Sequence, residues 1–347
     1  MHGRYGKSTS TTGLGELALL GRIRAAAPRS ATSGLRLGIG DDCALLGLQP
    51  NEDAAVTTDL SVEGRHFILD WHAPETVGRR ALARGLSDLA AMGARPVAVF
   101  LSLGLPPELT RKRGGSASWI DRFYAGLLEL AHDAGAPLAG GDLAQSPLAL
   151  ADVVLVGAVP RGRALLRSGA RPGHLLYVTG KLGGAAAGLE ELAALAAAAK
   201  KPGPPKIPAK LAALLAPHLA PQPRLKQGLW LQRHRAASAA IDLSDGLSTD
   251  LTHLCEESEV AAEIDAAALP LHAGASLEQA LHGGEDYELL FAAPPKTQMP
   301  RTIAGVPVTR IGRVTARRTG RPLMMLIAGK GRQPLEAHGW QHFSRPR

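Results

Sequence analysis

Short apolar runs alternate along the chain with longer stretches in which apolar residues recur every three or four positions. Leu17, Leu20 and Ile23 predict a helix over 14–27. LRLGIGDDCALLGL (35–48) reads as strand, tight glycine turn and strand. AAVTTDLSVEGRHF (54–67) opens as a β-branched strand that is expected to run out at Asp59. Val77, Ala81, Leu82, Leu86, Leu89 and Ala90 make one face of a helix over 74–92, with Pro74 and Glu75 suited to its first turn. PVAVFLSLGLP (96–106) predicts a buried strand stopped by Pro106 and Pro107. A second amphipathic helix follows at 119–134, then a short strand (137–139) entering GGDL, and another strand at 151–160.

The second half repeats this alternation. A strand is expected at 174–179, then an Ala-rich helix (185–200) ending on Lys200 and Lys201, where the helix dipole favours cations. PGPPKIP (202–208) cannot be helical. A helix at 210–219 is stopped by Pro221 and Pro223. Residues 238–265 read as strand, acidic glycine turn, helix and strand. GGEDYELLFAAP (283–294) is a glycine turn entering a strand, and VTRIGRVT is a last strand before a basic tail. The class is α/β (α+β). Two domains are expected: 1–160, with a flexible leader at 1–12, and 161–347, with an Ala/Pro-rich insertion at 185–223.

Composition narrows the function classes. With 45% hydrophobic and 20% charged residues the chain can bury a sizeable core. The formal charge of +8 suggests anionic partners. Aromatics make up only 4%, too few to interleave with the basic residues as a nucleic-acid-binding module requires, so that alternative is weakened and no nucleic acid is expected as partner. Cys43 and Cys255 form no CxxC pair, which argues against a disulfide framework or zinc knuckle. His338 and His342, four apart, read as solvated. GKST near the N-terminus lacks the first glycine and the preceding strand of a P-loop. No signal peptide is apparent, and no run reaches the ~18 apolar residues of a membrane span. A cytoplasmic protein without membrane contact is expected.

Candidate chemistry lies in six acids. Asp42, Asp59, Asp142, Asp242 and Asp245 fall at expected strand ends or glycine turns, and Asp88 on a helix. Carboxylates and hydroxyls such as Thr57 and Thr58 are hard oxygen ligands of the kind Mg²⁺ accepts. Gly38, Gly40, Gly140, Gly141, Gly246, Gly283 and Gly284 let backbone N–H groups approach an anion. Carboxylates alone would repel a nucleotide, so several Mg²⁺ ions must lie between. Any one Asp beside Gly is also a common turn cap. The six together point to one pocket holding metal ions against phosphates.

In order, GIGDDCA, TTDLSVEGRHF, LSDLAAMG, GGDL, DLSDG and GGEDYELLF resemble the thiamine-monophosphate kinase family, within the superfamily that includes aminoimidazole ribonucleotide synthetase. The resemblance runs from about Gly15 to Trp340. It implies an N-terminal ATP-binding domain, a C-terminal α/β domain and a homodimer whose N-terminal sheets meet. The reaction it implies moves the γ-phosphoryl of ATP onto thiamine monophosphate in thiamine diphosphate biosynthesis. It further implies Mg²⁺ ligands at Asp42, Thr57, Thr58, Asp59, Asp88, Asp142, Asp242 and Asp245, with Asp59, Asp88, Asp142, Arg167 and Asp245 in catalysis. Tyr124, Gly141, Asp142, Arg167 and Ser244 match ATP-contacting positions; His66, Glu285 and Trp340 match positions that hold the thiamine portion. One departure is visible: the family usually has Asn where this chain has Gly85. The chemistry fits without a catalytic base, because a phosphate monoester has a second pKa of roughly 6 and is already dianionic near neutral pH. Selenophosphate synthetase would want a Cys before the first metal motif, and the hydrogenase-maturation relative would end in Cys, whereas this chain ends Ser344-Arg345-Pro346-Arg347. Aminoimidazole ribonucleotide synthetase is the alternative within the superfamily.

Overall fold

The computed structural model describes residues 16–26, 34–112 and 117–340. The expected leader and His342 lie outside them. Helix α1 (Glu16–Ala26) precedes a small antiparallel pair, β1 (Leu35–Leu37) and β2 (Leu45–Leu46). The first sheet is then built from β3 (Glu52–Val62), α2 (Pro74–Ala91), β4 (Arg95–Leu105), α3 (Trp119–Ala134), β5 (Leu138–Gln145) and β6 (Leu150–Pro160). Its strand order is β3-β6-β4-β5. β4 and β5 are parallel, so α3 must carry the chain back between them; the other pairs are antiparallel.

Alternation along β3 sorts its side chains. Thr57 and Asp59 turn towards α2, while Val56 and Leu60 on the other face remain 62% and 50% exposed. The covered face packs Leu101, Val153 and Leu155 against Leu82, Leu86, Phe123 and Leu127 of the two helices. α3 starts with a capping box, in which Ser118 and Asp121 satisfy each other's backbone N–H, and ends on Gly135 at φ 65°. The two helices approach almost backbone to backbone. A Cβ on Gly78 would run into the Phe123 carbonyl, and one on Gly126 into the Glu75 carbonyl.

After β7 (Leu175–Thr179) come α4 (Gly184–Ala197), α5 (Ala212–Leu219), α6 (Leu225–Arg233), β8 (Ala239–Asp242), α7 (Leu247–Glu257), β9 (Val260–Asp265) and α8 (Leu277–His282). β10 (Leu289–Ala293), β11 (Thr302–Ile303), β12 (Val306–Ala316), β13 (Met324–Ala328) and β14 (Gly331–Pro334) complete the described chain. They form a second sheet in the order β14-β13-β9-β12-β7-β10-β8, with β11 alongside β12. Leu247, Leu251 and Leu254 of α7 and Leu281 of α8 share one core with Leu176, Val178 and Leu290 of the sheet. In a separate core, Leu231 of α6 and Ala90 and Ala91 of α2 pack with Ala240 and Phe291. α2 therefore belongs to both halves.

Several expectations need correction. β3 runs three residues past Asp59, and β5 runs through GGDL, so Asp59 and Asp142 sit inside strands. The partners decide this: β6 pairs along the whole of β3, and β4 pairs with β5 out to Gln145. The Ala-rich helix stops at Ala197, short of Lys200 and Lys201, ahead of the run beginning at Pro202. The next helix enters through a 3₁₀ turn (Ala209–Leu211) and holds Pro217 within it. α6 and α8 were not anticipated, and the basic tail contains the hairpin β13–β14, whose first strand pairs in parallel with β9.

Candidate active site between the two sheets

α2 carries Arg80, Arg84 and Asp88 at four-residue spacing, hence along one side. Asp88 Oδ2 accepts a hydrogen bond from Thr57 Oγ1 of β3 at 2.5 Å. Arg84 Nη2 donates to Asp59 Oδ1 at 3.2 Å. One residue away, Ser87 Oγ donates to Asp242 Oδ2 at the end of β8, at 2.7 Å. The helix thus draws a carboxylate from each sheet to its own. A cavity of about 480 Å³ opens here, lined by Asp59, Asp88, Asp242, Ser244 and Asp245, and also by His66, Glu285 and Trp340. Gly85 makes the approach of α2 to β3 close: a Cβ there would lie 2.7 Å from Leu155 Cδ1 and 3.4 Å from Asp59 Oδ2.

The acids resist ionisation. Burial raises the Asp59 carboxyl to about 6, with repulsion from Asp88 and Asp152 adding to it and Arg84 opposing. Burial likewise raises Asp88, and it raises Asp242 to about 7 with help from the charges of Asp88 and Asp59. Asp59 Oδ2 is buried and finds no donor among the described residues. Acids crowded together with an unsatisfied oxygen are a donor set that a hard cation would complete. Sequence reading missed Asp250, whose Oδ2 accepts the backbone N–H groups of Ser244, Asp245 and Gly246, each at 3.1 Å, and so shapes the acidic turn.

The far wall is a buried polar network that the sequence did not announce. Arg80 Nη2 donates to both oxygens of Glu285 at 2.8 Å, and its Nη1 to the His218 carbonyl at 2.5 Å. His72 Nε2 and His218 Nε2 are 3.0 Å apart. Burial would raise Glu285, but the charge and hydrogen bonds of Arg80 outweigh it and pull the carboxyl down. Burial, reinforced by Arg80, depresses His72 to about 4, and His218 is depressed too. The network joins α2, the loop before it, α5 and the turn ahead of β10. Glu285 and Tyr287 both adopt positive φ, 66° and 50°, the kind of constrained backbone found beside working sites. Besides Glu285, which the family resemblance supplied, the i, i+4 spacing of Arg80 and Arg84 was the sequence signal for this wall; His72 and His218 gave none.

The remaining expected residues lie elsewhere. Asp42, Gly141, Asp142 and the buried Tyr124 line a second cavity of about 710 Å³ at the β5 edge of the first sheet. Asp59 is on β3, the opposite edge, in register with Val153, Leu101 and Gly141. Three strand spacings make that about 14 Å. Thr58 faces outward and is exposed. Arg167 is exposed, yet its charge still lowers Asp88 and Asp242. The expected single pocket is therefore two groups of residues within one chain. Among the described residues no three acidic, His or Cys side chains stand close enough to form a metal site as they are.

Comparison with known proteins relates this geometry to chemistry. Residues 40–159 match "AIR synthase related protein, N-terminal domain", and residues 171–323 match the corresponding C-terminal domain. The thiamine-monophosphate kinase of Escherichia coli K12 is 40% identical over 331 residues, covering 92% of this chain and 95% of that protein. The chain belongs to the thiamine-monophosphate kinase family. The crystal structure of the family member from Stenotrophomonas maltophilia K279a superposes with a TM-score of 0.74 at 37% identity, covering 91% of this chain and 97% of that one. A second, described as AaThiL complexed with AMPPCP and TMP, gives 0.71 at 31% identity, covering 97% and 100%. The hydrogenase maturation protein HypE, at 16% identity and a TM-score of 0.69, shares the fold.

Proposed function

We propose that this chain is an ATP-dependent kinase that phosphorylates thiamine monophosphate to thiamine diphosphate in thiamine biosynthesis. The observation that carries the reading is the convergence on α2 of Asp59, Asp88 and Asp242 beside a cavity that also holds His66, Glu285 and Trp340. An oxygen of the acceptor phosphate attacks the γ-phosphorus, a new P–O bond forms, and ADP leaves. The acceptor oxygen needs no deprotonation, so the protein's task is to hold two polyanions in line. Asp59, Asp88, Asp242 and Asp245, with Thr57, are suited to hold Mg²⁺, which when bound would neutralise phosphate charge. Ser244, which lines the cavity, and Arg167, whose charge reaches Asp88 and Asp242, would meet the phosphates of ATP, while His66, Glu285 and Trp340 would hold the thiamine portion. As an ATP consumer the enzyme would work in the cytoplasm, and a division into two domains near residue 160 is supported by the four-stranded sheet lying before it and the eight-stranded sheet after it.

We assign the second group, Asp42, Tyr124, Gly141 and Asp142, together with Thr58 on the outer face of β3, to the same reaction through a homodimer. Val56, Thr58 and Leu60 leave the outer face of the first sheet uncovered along β3, and a second copy's sheet is the partner that the family resemblance supplies. Meeting face to face, two chains can bring the β5 edge of one towards the β3 edge of the other. Incubation with ATP, Mg²⁺ and thiamine monophosphate, with products identified by mass spectrometry, tests the function. Thiamine diphosphate and ADP in equal amounts are expected; ADP without thiamine diphosphate would exclude this acceptor.

A further inference from the structure

Two arginines of α2 face the cavity, and they are used differently. Arg80 is committed to the wall: its two terminal nitrogens are taken by Glu285, the His218 carbonyl and the His66 carbonyl. One turn on, Arg84 makes a single hydrogen bond among the described residues, to Asp59, and its buried Nε has no partner. Its side chain is 21% exposed and lines the cavity. It stands within reach of three acids at once, Asp59 and Asp88 on the metal side and Glu285 on the acceptor side. A guanidinium with unspent donors, placed between the group that meets phosphate and the group that meets the organic portion, is where a bound monoester puts its phosphate.

We propose that Arg84 is a ligand of the acceptor's phosphate, gripping thiamine monophosphate by its phosphoryl oxygens beside Asp59. The assignment rests on the function proposed above and deepens it: it names the residue that distinguishes the phosphorylated acceptor from free thiamine. Arg80 cannot take the role, because moving it would release Glu285 and the His218 carbonyl together.

Calorimetric dissociation constants for thiamine monophosphate and for thiamine, measured in EDTA so that metal held by Asp59 does not contribute, test this on wild type, Arg84→Gln and Arg84→Lys. Arg84→Gln should weaken thiamine monophosphate binding by roughly 10- to 100-fold, the range for a hydrogen bond between charged groups. Thiamine binding should stay within about twofold of wild type, as expected where a truncated side chain made no contact with the ligand. Arg84→Lys, which keeps the charge but not the planar fork, should fall between. Unchanged thiamine monophosphate binding in Arg84→Gln, or equal losses for both ligands, would overturn the assignment. A wild type that in EDTA binds thiamine monophosphate no better than thiamine would overturn the assignment as well, while the product assay with ATP and Mg²⁺ tests the proposed function by itself.

Discussion

Asp59 shows how a single side chain can work against the fold that holds it. Its carboxyl is raised to about 6 by burial, so its ionised form is costlier in the fold than in the unfolded chain, and among the described residues its Oδ2 is left without a donor. Asn has the same shape and no charge. Asp59→Asn should therefore keep or slightly raise the melting temperature in EDTA while lowering kcat by at least about 100-fold, the loss typical of damaged metal ligation. Calorimetry and steady-state kinetics on the same preparation check both halves, and wild-type kcat at saturating Mg²⁺ would defeat the metal assignment. The residue type was legible in the sequence, since acids beside β-branched strands stand out. Its companion Arg84 was not, because an arginine on an amphipathic helix reads as surface until the helix is seen lying between two sheets.

Among the elements, α2 does the most. Its apolar face and its Pro74 start are written in the local sequence, and the helix ends one residue from the expected position. Its contacts are not written there: it touches α3 through Gly78 and Gly126, β3 through Gly85, and α6 where Gly228 lies against the Ala90 carbonyl. Gly78→Ala should push α2 away from α3 and cost about 1–3 kcal/mol, as overpacking does. Denaturant titration should show a lower midpoint, and kcat should fall too because Asp88 moves with the helix. β5 teaches the converse lesson. Its glycines argue for a turn, but the free edge of β4 offers backbone partners that recruit them into a strand.

For the whole molecule, the His72–His218 pair fastens α5 to the loop before α2 and so couples the two halves. Burial, with the charge of Arg80, depresses His72 to about 4 from the 6.5 of a free imidazole, so the fold favours it neutral. Its contribution to stability is complete above pH 6.5 and is lost as pH falls towards 4. The buried acids act in the opposite sense, since their raised values favour the folded state at lower pH, so a comparison of variants is needed. The melting temperature of wild type should drop further between pH 7 and pH 5 than that of His72→Gln/His218→Gln, as calorimetry can show. At the scale of the assembly, mixing Asp59→Asn with Asp142→Asn should restore activity to about a quarter of wild type if each site takes one acid from each chain. That fraction follows from random pairing of rigid subunits about a twofold axis. No recovery after refolding the mixture would place both acids in one chain's site.

Most of the strands and helices, the acidic turn after β8 and the residues that carry the family's signature were set by local pattern, because side-chain periodicity and glycine or proline punctuation act over a few residues. What only the tertiary structure decided was the company those residues keep. Strand order put Asp59 and Asp142 at opposite edges of one sheet, and helix α2 carried Asp88 to Asp242 across more than 150 positions of sequence. The histidine–arginine wall was assembled from segments far apart in sequence, whose only shared local signal was the arginine spacing on α2. Such pairings arise from packing free energy between distant surfaces, which no local stretch of chain records.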